Sequence, residues 1–445
     1  MRFLLLLACA GSLLGEFRAG AFKTVISPVL QDHPPVYMAG FGHNRVAKTV
    51  HDDLYARCLA FSTGAKPLVM CEVDLIGFFL DDVERVRAKV PEADVVVAST
   101  HVHEGPDTMG LWGPQEGKSG IDDSYNAFVV DRIAEAAKGA LAALAPATAA
   151  LAVVHNPELD SFIDDDRPPV KHDPDLIVLT LTGKDGQRIA TAVNWANHPE
   201  TLGSRNTQIS ADYPGFFYKR LEATLGGMAV LWNGAVGGMQ SPLGARIMDP
   251  ATGSIAAERS FRKTQVLGER IADLAAEAAR SAKPVRITKV AFAERIIDIP
   301  VTNRGFQMAA QADLYKGRKK TTANGATTTP VGLIRMSGEQ PILEIALIPG
   351  EMYPELSVGG VERYAGADFP DAPIEPPIKP MLHAPFRMLI GLADDEIGYI
   401  IPKAEWDEKP PYLENAAKPW YGEVNSVGPD AAARIAAAIA QLARK

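Results

Sequence analysis

Short runs of apolar, mostly branched residues recur along the chain, separated by polar and glycine-containing segments. Runs of this length that are mostly apolar and do not alternate with polar positions are typical of strands buried on both faces. They lie at residues 68–73, 95–98, 176–181, 190–195, 228–232, 343–348 and 386–390.

Longer segments with helical periodicity alternate with some of these runs. They lie at residues 125–144, 214–225 and 265–281, and an Ala-rich segment at 430–444 ends the sequence. Strands mixed with helices predict the α/β class with mixed α and β layers. Prolines indicate irregular loops at 156–174 and 368–385, and the polar segment 316–329 indicates an exposed connection.

The first residues have the pattern of a short signal peptide. Met1 and Arg2 precede a largely apolar stretch, and small residues follow at 19–21. We therefore predict a signal peptide at 1–21, a mature domain at 22–445, and a secreted or periplasmic location. No later segment offers the run of about 18 apolar residues that a transmembrane helix needs.

Composition excludes several classes of protein. The chain is 47% hydrophobic and 22% charged, as in soluble globular proteins, and its formal charge is -9. With residues 316–320 as the only basic cluster, we expect no nucleic-acid partner. Cys58 and Cys71 are too few for a disulfide framework. Each fits a small buried thiol, and a bridge between neighbouring strands is the alternative.

Potentially reactive residues directly follow several of the predicted strands. His101 and His103 follow the run at 95–98, His198 follows 190–195, and Glu351 follows 343–348 after a glycine. Residues at i and i+2 of an extended chain point to the same side, so one histidine can bind metal while the other acts as acid/base. Two imidazoles and a carboxylate suit zinc and leave room for water.

A glycine-rich turn at 233–242 follows the run at 228–232 and ends in Ser241-Pro242. Its glycines let the backbone approach a ligand and offer N–H donors. Without a Gly-x-Ser-x-Gly elbow, Ser241 is expected at the rim of the site as a group that orients substrate. Residues 109–113 are candidates for lining an apolar trench.

In order and spacing, the motifs resemble the neutral/alkaline non-lysosomal ceramidase family over most of the mature chain. The matching pieces are residues 38–42, 53–57, Thr100-His101-Val102-His103-Glu104-Gly105-Pro106, Asn194-Trp195 with His198, 209–212, Ser241-Pro242, Pro349-Gly350-Glu351, and Gly398-Tyr399-Ile400 with Tyr421. The resemblance covers the family's N-terminal catalytic domain and leaves no room for its C-terminal immunoglobulin-like domain.

The resemblance implies site residues and a reaction. It implies one Zn²⁺ per chain held by His101, His198, Glu351 and Tyr399. It further implies His103 as general acid/base, Ser241 as the active-site serine and Tyr421 as a contact to the reacting carbonyl. The implied activity is hydrolysis of the amide of ceramide or a related N-acyl lipid by zinc-activated water, releasing fatty acid and amine.

Two departures bear on the substrate. The family's Gly-Asp-Val-Ser-Pro reads Gly238-Met239-Gln240-Ser241-Pro242 here, so a carboxylate near the serine is missing, and the nearest counterpart of the family's substrate arginine is Arg167. Zinc-dependent hydrolysis of another small amide, ester or lactone is therefore an alternative hypothesis. A second alternative is a non-catalytic protein that binds metal or lipid. Peripheral contact with a membrane is compatible with a lipid substrate.

Overall fold

The computed structural model describes residues 15–33, 35–164, 170–238 and 240–444. Its strands, in chain order, are β1 (Arg18–Val25), β2 (Thr49–Val50), β3 (Tyr55–Ser62), β4 (Leu68–Val73), β5 (Asp94–Ser99), β6 (Ala145–His155), β7 (Asp175–Gly183), β8 (Arg188–Trp195), β9 (Gln208–Ile209), β10 (Met228–Asn233), β11 (Met248–Asp249), β12 (Ser254–Ile255), β13 (Lys283–Val285), β14 (Lys289–Pro300), β15 (Ala326–Ser337), β16 (Pro341–Leu347), β17 (Glu351–Met352), β18 (Phe386–Ile390) and β19 (Tyr399–Ile400).

The α-helices are α1 (Leu80–Lys89), α2 (Asp123–Ala142), α3 (Pro157–Asp160), α4 (Asp212–Leu225), α5 (Phe261–Ser281), α6 (Arg304–Gln311), α7 (Pro354–Val358), α8 (Ile378–Met381), α9 (Tyr421–Val424) and α10 (Ala431–Ala443). Helix α2 begins two residues before the predicted start. The Asp122 side chain caps it by accepting hydrogen bonds from the N–H groups of Ser124 and Tyr125.

Two mixed sheets form the centre of the molecule. The larger sheet has the order β10-β8-β7-β6-β1-β3-β4-β5, with β13 also paired to β6. Its β10/β8 and β4/β5 pairs are parallel, and its other pairs are antiparallel. The smaller sheet has the order β14-β15-β16-β18, in which only β16 and β18 are parallel.

The sheets stack face to face between two helical layers. Leu59 and Leu179 of the larger sheet share one buried cluster with Ile345 and Met388 of the smaller sheet. Helices α1 and α2 cover one part of the larger sheet's outer face, and α4 and α5 cover another. Helix α10 covers the outer face of the smaller sheet. The predicted α/β class with mixed layers is confirmed.

Every one of the apolar runs is a strand, although β3, whose six central residues are buried, is not among them. The long strands β6 and β14 were not predicted, because most of their positions are partly or fully exposed and break the apolar pattern. The strands β1, β3 and β15 were missed as well.

Strand β1 bears on the predicted signal peptide. It pairs with β3 along its whole length, and Ala19 is fully buried. Cleavage after Ala21 would remove the first half of this strand, so a boundary before Phe17 is more compatible with the sheet. Residues 1–14 lie outside the described chain, and the signal peptide stays a prediction.

The two cysteines that follow the predicted signal peptide form a cross-strand disulfide. Cys58 of β3 and Cys71 of β4 are direct partners in the antiparallel register, with Cα atoms 4.0 Å apart. The two cysteines are therefore bridged, which was the alternative to two buried thiols.

The segment at 316–329 is not the exposed connection that its polar sequence suggested. Arg318 and Lys319 are each 7% exposed and form ion pairs with Asp82 and Asp395 respectively. Burial of a charge is tolerated when a partner compensates it, and this pairing could not be read from composition. Among the described helices, none combines the length and apolar character needed to cross a bilayer.

Candidate metal centre and its cavity

The predicted metal ligands meet where strands from both sheets end. His101 lies two residues after β5, His198 lies three residues after β8, and Glu351 and Tyr399 begin β17 and β19. Glu351 and Tyr399 are direct partners in the parallel β17/β19 pair. Carboxyl ends of neighbouring parallel strands share one edge, and loops at that edge collect functional groups.

Asn233, the last residue of β10, ties the two histidine-bearing segments together. Its Nδ2 donates to the carbonyl oxygens of Thr100 and Asn197, at 2.9 and 3.1 Å. Its Oδ1 accepts from the N–H of Asn197 at 3.2 Å. Because Thr100 precedes His101 and Asn197 precedes His198, one buried amide fixes the spacing of both imidazoles.

The rings of His101 and His198 are anchored in the same way. Nδ1 of His101 donates to the carbonyl of Ile76, and Nδ1 of His198 donates to the carbonyl of Gln240, each at 2.6 Å. A carbonyl only accepts, so Nδ1 carries a proton in both rings and Nε2 is the nitrogen that a metal can bind. His101 also has a φ of 69°, a left-handed conformation that is strained for a non-glycine residue.

Glu351 faces Nε2 of both rings. Its Oε2 lies 3.4 Å from Nε2 of His101 and 3.0 Å from Nε2 of His198. Burial opposes ionisation of Glu351, but attraction to the two imidazoles outweighs it and holds the pKa of Glu351 well below its usual range. The Tyr399 hydroxyl hydrogen-bonds to Glu351, and burial together with that negative charge raises the pKa of Tyr399.

His103 belongs to the same cluster but has a different partner. Its ring centroid lies 4.9 Å from that of His101, as expected for an i, i+2 pair, and its Nδ1 lies 3.2 Å from Oε2 of the buried Glu200. Burial lowers the pKa of His103 to about 4, so the ring is neutral and able to accept a proton at neutral pH. A Cβ at Gly40, where φ is 94°, would lie 2.4 Å from the His103 ring, so only glycine permits this packing.

Glu200 is a site residue that sequence reasoning missed. Burial opposes its ionisation, but His103, His198 and Ser241 lower the pKa of Glu200 to about 2. Its position two residues after His198 was the available signal, but an acidic residue in a loop is ordinarily solvated. Glu200 supplies the carboxylate near the serine that the turn at 238–242 lacks.

Ser241 does not occupy the predicted position at the rim. It is 5% exposed, lies beside Glu200, and exchanges backbone hydrogen bonds with Asp164. In the glycine turn, Gly237 donates its N–H to the carbonyl of Met352. The contacts that Ser241 and the turn are expected to make with a ligand stay predictions, and Ser241 is positioned to support Glu200. Arg167 lies outside the described residues.

A cavity of about 80 Å³ opens onto the cluster and is lined by His101, His103, Glu351 and Tyr399. Much of its wall is apolar, with contributions from Ile76, Phe79, Met109, Leu111, Trp112 and Phe306. The prediction that 109–113 line an apolar space is confirmed. Tyr421 also lines the cavity and is 48% exposed, and its ring lies 5.8 Å from that of Tyr399.

The donor set fits a divalent metal. One nitrogen from each of His101, His103 and His198 lies within 4.8 Å of the others, and all three residues are buried. Nε2 of His103 has no hydrogen-bond partner among the described residues. Imidazole nitrogens with a carboxylate oxygen at hand are ligands that zinc accepts. The structure brings together all four predicted ligands, and His103 is close enough to be a further one.

No protein-family model and no curated protein matches the chain in sequence. Its structure is similar to that of neutral ceramidase from Pseudomonas aeruginosa, with a TM-score of 0.71 and 17% sequence identity. The match covers 96% of this chain and 75% of that chain. A ceramidase complexed with C2 matches with the same TM-score, identity and coverage. The chain therefore has the fold of neutral ceramidase, as the resemblance of its motifs implied.

Proposed function

We propose that this protein is a zinc-dependent amide hydrolase that cleaves ceramide or a related N-acyl lipid. One observation carries the proposal. Two imidazoles with Nδ1 fixed on backbone carbonyls direct Nε2 toward one buried carboxylate at an apolar cavity. The neutral ceramidase fold supports the same activity.

His101, His198, Glu351 and Tyr399 would hold the metal. When bound, zinc lowers the pKa of water and polarises a carbonyl oxygen. His103 is neutral and buried, so it can take a proton from the water that attacks the amide carbon. It then returns the proton to the amide nitrogen as the C–N bond breaks, releasing a carboxylic acid and an amine.

Glu200 orients the His103 ring through Nδ1, which leaves Nε2 for the transferred proton. Tyr421 lines the cavity and is 48% exposed, and it would contact the oxygen of the reacting carbonyl. Different side chains would thus bind the metal, transfer the proton and contact the carbonyl.

The apolar wall favours a lipid over a small polar amide, ester or lactone. Side chains such as Phe79, Leu111 and Trp112 offer surface to an acyl or alkyl chain beside the cluster. Val424, next to the cavity in α9, is 54% exposed and adds to the surface that a lipid would meet on entry. We further propose export, which the Cys58–Cys71 disulfide supports because such bonds persist in oxidising compartments.

Zinc content and hydrolysis of a fluorescent short-chain ceramide, measured with and without chelator, test the proposal. We expect stoichiometric zinc, release of fatty acid, loss of turnover with chelator, and recovery when zinc returns. Zinc without turnover of ceramide would contradict the substrate and leave another amide, ester or lactone. Absence of metal after reconstitution would contradict the hydrolase itself and leave the non-catalytic binding protein.

A further inference from the structure

Besides those of the His103 ring, two buried polar atoms on the cavity wall have no hydrogen-bond partner among the described residues. They are Oε2 of Glu396 and the hydroxyl oxygen of Thr327. Both residues line the cavity that contains the metal cluster, and they are 4% and 1% exposed. Buried polar groups are nearly always paired with protein or water, so these two atoms are able to receive a polar group of a ligand.

Apart from Oε2, the Glu396 residue is held in place by hydrogen bonds and by close packing of its stem. Its Oε1 accepts from the N–H of Gly398 at 2.7 Å, and its own N–H donates to Oδ1 of Asp395 at 2.9 Å. A Cβ at Gly77 would lie 3.1 Å from Cβ and Cγ of Glu396, so its stem is tightly packed as well. The side chain therefore cannot turn easily to find another partner for Oε2.

The positive charge on the cavity wall already has a partner. Lys319 also lines the cavity, but its ammonium group pairs with Asp395. The Asp395 oxygen that accepts from Lys319 also accepts from the hydroxyl of Thr329 at 2.8 Å. Glu396 and Thr327 thus offer polar atoms to a ligand on a part of the wall where Lys319 does not compete for them.

A hydroxyl group matches these atoms better than a cation does. It both donates and accepts, so it can donate to a carboxylate or to the hydroxyl oxygen of threonine, and it can accept from threonine or from a protonated carboxyl. Burial and the nearby Glu351 raise the pKa of Glu396 well above its usual range, and a hydroxyl serves either protonation state. A ligand cation would suit only the ionised form.

We propose that Glu396 and Thr327 form a hydroxyl-recognition subsite that selects substrates whose amine half carries a hydroxyl close to the amide. The inference rests on the proposed amide hydrolysis, because the subsite shares its cavity with His103 and Glu351. Glu396 precedes Tyr399 by only three residues, which places recognition beside the reacting group.

The test compares two substrates on matched variants. One substrate is a fluorescent short-chain ceramide, and the other carries the same acyl group on a plain alkylamine of equal length. The variants are Glu396→Leu, Thr327→Val and the conservative Glu396→Gln, which retains hydrogen-bonding groups. Thr191→Val is the control, since Thr191 is also buried with an unpaired hydroxyl but does not line the cavity.

We expect Glu396→Leu to lower kcat/KM for ceramide by about 10- to 100-fold and Thr327→Val by about 3- to 10-fold, each from a lost hydrogen bond. Turnover of the plain amide should change little. Glu396→Gln should keep most of the preference for ceramide, and Thr191→Val should keep all of it. Equal losses on both substrates, or an unchanged preference in Glu396→Leu, would overturn the proposal.

Binding without turnover separates this inference from the proposed function. Calorimetry with a long-chain amino alcohol and with the matching alkylamine should show tighter binding of the amino alcohol, and Glu396→Leu should remove the difference. A difference that disappears in Glu396→Leu without any amide hydrolysis would support the subsite and refute only the reaction. Equal binding of both amines by the unaltered protein would refute the subsite whatever the hydrolysis assay shows.

Discussion

His101 and His103 lie two residues apart and in the same cluster, yet their surroundings differ in kind. His101, like His198, places Nδ1 against a backbone carbonyl, which fixes the tautomer and cannot exchange a proton. His103 places Nδ1 against the carboxylate of Glu200, which can stabilise the imidazolium when it forms. We therefore propose that the partner of Nδ1 distinguishes a metal ligand from an acid/base in this cluster, where distance alone does not.

Removing an anchored histidine should have the largest effect. We expect His198→Ala to lose both zinc and activity, with turnover falling by about 1,000-fold or more, because the metal supplies several kcal/mol of stabilisation to the transition state. Zinc content by mass spectrometry and ceramide hydrolysis check this. His155→Ala is the matched control, since His155 is exposed and pairs with Asp175 outside the cluster. Full zinc occupancy and turnover in His198→Ala would refute the site assignment.

Removing His103 should separate activity from metal binding. We expect His103→Ala to retain most of its zinc while activity falls by about 100- to 10,000-fold, the usual contribution of a general acid/base. The same two measurements apply. Parallel loss of zinc would show that His103 is a ligand, which the proximity of its nitrogen to those of His101 and His198 allows.

Substitutions of Glu200, the partner of His103, test whether this carboxylate supports proton transfer. Glu200→Gln keeps the size of the side chain but removes its charge, and we expect zinc to stay while kcat falls by about 10- to 100-fold with little change in KM. Glu200→Asp should recover part of the loss. A variant with normal kcat would show that Glu200 only fills space.

Replacing Ser241 should have the smallest effect on activity. Because it lies beside Glu200 and does not line the cavity, we expect Ser241→Ala to lower kcat by less than about tenfold, the scale of one supporting hydrogen bond. A loss as large as that of His103→Ala would restore Ser241 to the catalytic group that the family resemblance implied.

The sequence predicted the strand ends and the residues that follow them, because apolar runs mark strands buried on both faces. That rule located His101, His198 and Glu351, while the family resemblance added Tyr399 and Tyr421. It could not locate Lys319, whose burial depends on Asp395, or Glu396, whose side chain packs against Gly77, because both of those neighbours are distant along the chain. It misplaced Ser241, since a glycine turn beside a ligand and one packed on Met352 have the same composition.

The position of the metal is tested by a map of anomalous scattering at the zinc edge, from crystals grown with Zn²⁺. We expect one peak about 2.0–2.2 Å from Nε2 of His101, Nε2 of His198 and a carboxylate oxygen of Glu351, with the Tyr399 hydroxyl completing the set and Nε2 of His103 outside it. A peak bound by the three histidines without Glu351, or no peak at this cluster, would refute this ligand set.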